Sequence, residues 1–476
     1  MKLEHVRIIP SAIKKSERRT DYELSDRENA ETSQSRHGNR GIRCEGNVAY
    51  FTEEQLMYWV RKAPFCFTLY GGNEKYNCDF GGEEVNPTPP YGAPYITEPD
   101  GQRRAATIED YVNFIKLFEA NDDYKTNGGP IVAIDGVEPR LGALAMWYAT
   151  YTHSQKVMMI HTGDQEVMDA LIKASETAWG GRNALMEKPR MFTIVDVNSP
   201  MQFSNQMTET LIALAQAGQA FTVANCSMAG STSPVTMAGT VALIIAENLP
   251  IIALAQMVHP GTPVLLGSQS CTADMATGQI AGGSPEGALC YKYVANLSDF
   301  YGLPSRGGGA ITDSKIVDPQ SGYESMITLM ACYENHMNMI IHAAGILNGY
   351  NAVSFEKVLQ DFEVLNYVKR YVREFDITDE TLALDEIKEV GHTGEYLTSE
   401  HTFEWCRREP MTPQVSSRGT VKDPVHQFQN RLDAYKARLL KQYQKPEMDP
   451  QKLSKIKDIF ESAGLSRQWM DMVDEL

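Results

Sequence analysis

The sequence predicts an α/β protein: a (β/α)8 TIM-type barrel with an N-terminal α+β extension and a set of C-terminal helices. Three observations point there. Short apolar runs alternate with longer amphipathic stretches through the middle of the chain, and such alternation argues for parallel strands joined by right-handed crossovers. The runs number eight, the count at which a parallel sheet closes and places its working residues at the C-terminal strand ends. Acids, amides and histidines fall just after those runs, where packing alone does not call for them.

Residues 1–90 form the extension. Thr52 has the character of a helix N-cap, so a helix is expected over 52–62. Runs 65–70 and 75–80, parted by Gly71, Gly72 and Asn73, have the pattern of a hairpin. The barrel is expected over 91–375, with strands at 94–97, 131–135, 157–161, 192–197, 221–226, 251–256, 304–310 and 339–343. Helices are expected to begin near Thr107, Arg140, Asp164, Phe203, Pro234, Pro285 and Gln320, and a last one runs from Ser354 to about Arg373. The seventh strand holds Ser305, Arg306, Gly307, Gly308 and Gly309, residues of low β propensity, so an open doubly wound sheet stays as the alternative. Residues 376–476 form a polar helical region, ending in helices over 424–443 and 450–476. It is expected to pack on the barrel or on a second copy, which makes a homo-oligomer the expectation.

Composition excludes several classes. The chain has 476 residues, a net charge of −17 and 22% charged residues, so a nucleic-acid partner, which needs clustered Lys and Arg, is not expected. The longest apolar stretch, 235–257, is interrupted by Thr236, Thr240, Glu247, Asn248 and Pro250, which argues against a membrane span. The first residues are charged, without the apolar run of a secretory signal. Eight scattered cysteines without a C-x-x-C pair argue against structural zinc and for a reducing, cytoplasmic location. No phosphate-loop or dinucleotide-binding spacing is present, and no bound metal is expected.

Residues after the expected strands are Glu98, Asp135, His161 with Thr162, Asp196 with Asn198, Asn225 with Cys226, Gln256 with His259, Arg306, and His342. Tyr91, Tyr95, Phe203, Tyr323 and Tyr350 fall near the same face, where aromatic rings hold a quaternary ammonium by cation–π attraction. Any one strand-end Asp or Asn caps a helix or turn more often than it meets a ligand, and any one ring is more often packing. The residues alone lead to a barrel enzyme with a polar face and stop there.

Several collinear motifs go further. MAGSTSPVTMAGT at 228–240, DMATG at 274–278, SPE at 284–286, YGLPSRGGGAITDSK at 301–315, DPQSGYE at 318–324, IHAAG at 341–345 and SFEKVLQD at 354–361 resemble the trimethylamine methyltransferase superfamily, with a weaker match back to TIED at 107–110. The resemblance implies a (β/α)8 barrel that passes a methyl group from a methylated amine to the cobalt of a separate corrinoid protein. The archaeal trimethylamine enzymes of the superfamily carry pyrrolysine; here the corresponding region, 306–310, holds ordinary residues. That departure resembles the branch acting on quaternary amines such as glycine betaine and proline betaine, with carnitine, γ-butyrobetaine, trimethylamine or a non-catalytic betaine-binding role left as alternatives. The D-x-H-x-x-G corrinoid motif is absent around His342, so no cofactor is expected to be bound permanently, and the Co(I) corrinoid arrives on its partner. Substrate contacts are then expected from His342, Tyr350, Asn225, Arg306, Tyr95, Glu98 and Asp196. Gly307, Gly308 and Gly309 are expected to face the corrinoid, and no catalytic residue is singled out.

Overall fold

A computed structural model describes residues 42–45 and 48–476. Eight parallel strands follow one another in the chain, each trailed by a helix. In order they are Asn86–Pro87, Thr126–Gly128, Val157–Met159, the pair Met191–Phe192 and Ile194–Val197 joined through Thr193, Phe221–Asn225, Val264–Gly267, Ser305–Gly308 and Met339–Ile341. Parallel ladders link the second strand to the third and so on in turn to the eighth, and the eighth pairs with the first. They form a three-stranded and a six-stranded parallel sheet, and the chain passes from one to the other at Thr193. Between the first and second strands the contact lies beyond the strand ends, where Ala93 bridges Val132 in the parallel sense.

The helices that follow are Ile108–Glu119, Gly142–His153, Gln165–Trp179, Asn205–Gln216, Met237–Val258, Pro285–Tyr301, Pro319–Glu334 and Phe355–Val372. Their starts obey local chemistry. Thr107, Asp164, Ser204, Ser284, Asp318 and Ser354 each turn a side-chain oxygen onto a first-turn N–H, which satisfies donors that have no partner inside the helix. In the N-terminal region the helix Glu53–Val60 and the hairpin of Phe67–Leu69 with Cys78–Phe80 form where expected.

Three expected strands are displaced, and proline explains two. The run 251–256 is the second half of the helix Met237–Val258, which continues through Pro250; the sixth strand is Val264–Gly267. A short apolar run with no polar face does not distinguish a buried strand from a buried helix. Sixteen residues of this helix are buried, and 89% of its most apolar window is buried inside the fold. The first strand sits in a proline-rich run, Val85 to Pro90, which a β pattern disfavours; Asn86 and Thr88 still donate to Asn338 and Ile340. The β unit therefore starts before residue 91, the boundary expected from sequence. Residues 131–135 make only isolated bridges, to Ala93 and Ala106. Tyr95–Thr97 is a strand, but in a separate small sheet with Ala352–Val353 and Arg103–Arg104.

The C-terminal helices Gln427–Gln442, Pro450–Ser462 and Arg467–Glu475 lie against one side of the helical layer. The Phe460 ring meets Trp147 edge-on at 5.4 Å, and Lys116 donates to the carbonyl of Leu476 at 2.8 Å.

Inside that layer lies one fully buried ion pair. On the last helix of the series Lys357 and Asp361 meet with no exposure on either side chain. Lys357 Nζ also donates to Ala310 O and Ser325 Oγ, and Asp361 accepts from Gly345 N–H. Burial pushes the carboxyl up and the ammonium down, while their mutual contact opposes both shifts. The pair thus ties the ends of the seventh and eighth strands to two helices. Asp361→Ala leaves a buried ammonium without its counter-charge and is expected to cost about 3–5 kcal/mol, measured as a fall in the urea midpoint. A loss under 1 kcal/mol would show that the pair is dispensable.

Candidate active site at the strand ends

The C-terminal ends of the strands surround a cavity of about 430 Å3, lined among others by Tyr91, Asp196, Asn225, Cys226, Gln269, Arg306, His342 and Tyr350. These come from beyond the first strand, from the fourth to the eighth, and from the loop after the eighth. Two larger cavities, of about 720 and 790 Å3, lie outside the ring of strand ends among helices and loops. The smaller one is lined by Gln269, Arg306 and Tyr350, each of which has a buried polar atom without a partner.

Arg306 is central. It is 1% exposed, yet its Nε and Nη1 have no hydrogen-bond partner, and among the described residues no carboxylate comes within ion-pair distance of it. Its stem crosses the neighbouring strand at Gly267, where a Cβ would fall 2.7 Å from Arg306 Cδ; only glycine leaves that path open. Burial pulls the pKa of the guanidinium down and the charge of Asp196 pulls it back up. A guanidinium does not lose its proton in a protein, so this is a buried cation with donors to spare.

Asp196 lines the same cavity. Water reaches its side chain through the cavity while protein surrounds it on the other sides, and this desolvation raises its pKa, with Arg306 acting in the opposite direction. Cys226 is placed similarly, and desolvation pushes its thiol up to about 11.

His342 accepts the backbone N–H of Tyr91 at Nδ1, 3.2 Å away, which assigns the ring proton to Nε2. Burial, and then the charge of Arg306, push its pKa well below the usual value, so the ring is a neutral donor. Tyr350 meets it edge-on at 5.1 Å, with its hydroxyl unpartnered. His342, Asn348 and Tyr350 have φ of +60°, +54° and +73°. Left-handed conformations cost non-glycine residues of order 1 kcal/mol, and three within nine positions mark a loop held in place by its surroundings, Gly345 N–H on Asp361 among them.

Asn225 lines the cavity, but its amide is already engaged. Nδ2 donates to Glu247 and Ser227, and Oδ1 accepts from Ser270. Glu247, fully buried on the helix Met237–Val258, also accepts from Ser199 Oγ and Met201 N–H. Asn225 therefore positions the loop after the fourth strand and has no donor left for a ligand.

The structure brings His342, Tyr350, Asn225, Arg306 and Asp196 together. Tyr95 and Glu98 are elsewhere: Tyr95 is half exposed with Arg103 over its ring, and Glu98 pairs with Arg104. Both were assigned to the face through a strand that belongs to another sheet. Asp135 is exposed outside the cavity, Gln256 is in a helix bonding Thr262 O, Phe203 is core, and Tyr323 lines the larger outer cavities. His161 stands behind Tyr91, ring centroids 6.1 Å apart. Gln269 was missed because the sixth strand was misplaced; its Nε2 donates to Tyr291 OH at 2.7 Å and its Oε1 is unpartnered.

Gly307, Gly308 and Gly309 are buried and present no open platform to a corrinoid. A Cβ would fall 2.8 Å from the end of Met337 at Gly307, 1.9 Å from Gln269 Nε2 at Gly308, and 2.7 Å from Ala343 Cα at Gly309. Protein atoms already occupy the space that each glycine leaves.

The family described as Trimethylamine methyltransferase (MTTB) matches residues 27–462. The chain is 37% identical over 428 residues to glycine betaine methyltransferase of Desulfitobacterium hafniense (strain Y51), covering 89% of each chain. It is 29% identical to proline betaine:corrinoid methyltransferase of Eubacterium limosum, covering 81% of each, and 27% identical to L-carnitine:corrinoid methyltransferase of the same organism, covering 82% of each.

Gly308→Ala tests the packing account. The methyl displaces Gln269 from Tyr291, so stability is expected to fall by about 1–3 kcal/mol, with ligand affinity falling alongside it. Normal stability and affinity with loss of methyl transfer alone would return Gly308 to a corrinoid-facing role.

Proposed function

The chain belongs to the trimethylamine methyltransferase family, and from that premise we propose that it takes a methyl group from glycine betaine and delivers it to the cobalt(I) of a separate corrinoid protein. It is a corrinoid-dependent methyltransferase acting on a quaternary amine; the choice of glycine betaine, the residues assigned to it, and the closure of the eight strands into a (β/α)8 barrel are our reading. The 37% identity to a glycine betaine methyltransferase favours glycine betaine among the betaines, and the observation that favours a betaine over trimethylamine is the charge pattern of the cavity. A buried guanidinium with two open donors and a carboxylate share one cavity without pairing. Separated charges of that kind complement a zwitterion and have no use for trimethylamine, which lacks an acid group.

On this reading the betaine carboxylate accepts from an open donor of the Arg306 guanidinium, with Nε2–H of His342 as a further donor. The trimethylammonium group has no N–H to give, so it is held by shape, by the rings of Tyr91 and Tyr350, and by Asp196. The cobalt(I) electron pair attacks a methyl carbon in line. The C–N bond breaks, its electron pair stays on nitrogen, and the products are methylcobalt(III) and the neutral tertiary amine of dimethylglycine. No proton moves. The protein needs no general acid, consistent with a neutral His342, and its contribution is orientation in a confined cavity. The mouth at the strand ends is where the corrinoid protein has to reach, and a cytoplasmic location accords with the scattered cysteines.

The test is loss of cobalt(I) absorbance when the protein and substrate meet a reduced corrinoid protein from the same gene cluster. Glycine betaine is expected to produce methylcobalt at least tenfold faster than proline betaine, carnitine, γ-butyrobetaine or trimethylamine. A faster reaction with one of the other betaines would move the substrate, and turnover of trimethylamine alone would overturn the zwitterion reading.

A further inference from the structure

Beyond the helix Phe355–Val372 the chain leaves the fold. From Lys369 to Gln414 no residue is buried, although the stretch contains the helices Asp379–Leu382, Leu384–Val390 and Glu400–Trp405. Polar composition does not explain this. Tyr371, Phe375, Ile377, Leu384, Leu397 and Phe403 are 62% to 83% exposed. Side chains of this size carry roughly 150–200 Å2 each, so the six offer on the order of 800 Å2 of apolar surface. Single monomers rarely expose more than about 300–600 Å2 in one patch, and about 800 Å2 is what one partner contributes to a stable interface.

Both ends of the excursion are fixed to the same helix. Arg370 pairs with Glu409 and donates from Nε to its carbonyl. Glu363 accepts the backbone N–H groups of Gln414 and Ser416 at 2.8 and 2.9 Å. Beside this root runs an apolar groove of about 720 Å3 between the helices Pro319–Glu334 and Phe355–Val372, lined by Met326, Ile327, Met330, Val364, Tyr367 and Phe428 among others.

We infer that residues 374–408 form an exchange arm: the arm of one copy seats its apolar side chains in the groove of a second copy of this chain, and the second copy's arm returns the contact. Two arguments select a second copy over the corrinoid protein. The last helix of the series starts at the C-terminal end of the eighth strand and runs away from it, so the arm departs from the end of the fold opposite the cavity, while a methyl acceptor must reach the cavity. The arm carries many acidic residues, but its exposed Phe375, Ile377, Leu384, Leu397 and Phe403 present apolar area of the kind that permanent interfaces bury and shuttling ones do not; a partner that must come and go would leave this surface in water between turnovers. Because groove and root adjoin on the same helices, a two-fold axis beside them lets both arms cross at once and closes the assembly at two copies.

Light scattering at micromolar concentration tests this on the full chain. The wild type is expected to have twice the 53.1 kDa of one chain, or a multiple of that pair. L397D/F403D in the arm, and separately M330E in the groove, are each expected to halve the mass. The arm variant changes exposed positions and M330E a half-buried one; thermal stabilisation by glycine betaine should be kept in both and shows that the halves are folded. A monomeric wild type would overturn the inference, as would variants of unchanged mass. Unchanged mass with weakened binding of the corrinoid protein would assign the arm to that partner instead.

Discussion

A cation buried without a counter-charge organises this molecule. Arg306 lines the cavity at 1% exposure with two donors unsatisfied, and each open buried donor costs about 1–3 kcal/mol. The surrounding sequence accommodates it. Gly267 lets its stem cross the next strand, and burial together with its charge keeps His342 neutral. Asp196 shares the cavity but does not pair with it. A structure selected for stability alone would have closed that pair or replaced the arginine by a hydrophobic residue. Left open, the guanidinium gives the cavity an unpaired positive charge next to a carboxylate.

The rest of the fold holds this arrangement in place. The buried Lys357–Asp361 pair reaches the backbone of Ala310 and Gly345, and so fixes the chain leaving the seventh and eighth strands. The left-handed residues His342, Asn348 and Tyr350 follow directly. On the opposite wall Glu247 gathers Asn225, Ser199 and Met201 N–H. A buried ion pair on one helix and the buried Glu247 side chain on another set the loops around the cavity. A reaction with no proton transfer depends on such placement more than on any acid or base, because its barrier is lowered mainly by holding carbon, nitrogen and cobalt in line.

Most helices and the third, fourth, fifth, seventh and eighth strands were legible, because capping residues and apolar periodicity are local signals. Two strands were lost for one reason: proline is weighed locally, while its setting is tertiary. Pro250 reads as a helix end, yet the helix runs through it, and the expected strand vanished into that helix. The prolines from 87 to 90 read as a loop, yet two residues there pair with the eighth strand. The consequences at the site are direct. Gln269 went unseen because the strand before it was misplaced, and Tyr95 and Glu98 were given a place on a face they do not reach. Asn225 was correctly located, but its saturation by Glu247 depends on a helix twenty residues away, which no spacing rule reports. The glycines 307–309 likewise need the identities of Gln269, Tyr291 and Ala343 before their smallness is explained.

The most direct measurement is the stability of Arg306→Met with and without glycine betaine. If the guanidinium is reserved for the substrate carboxylate, the variant without ligand is expected to be as stable as the wild type, or more stable by about 1–4 kcal/mol, and glycine betaine should no longer raise its melting temperature. A variant that is markedly less stable yet still stabilised by glycine betaine would make Arg306 a structural residue and place the carboxylate elsewhere.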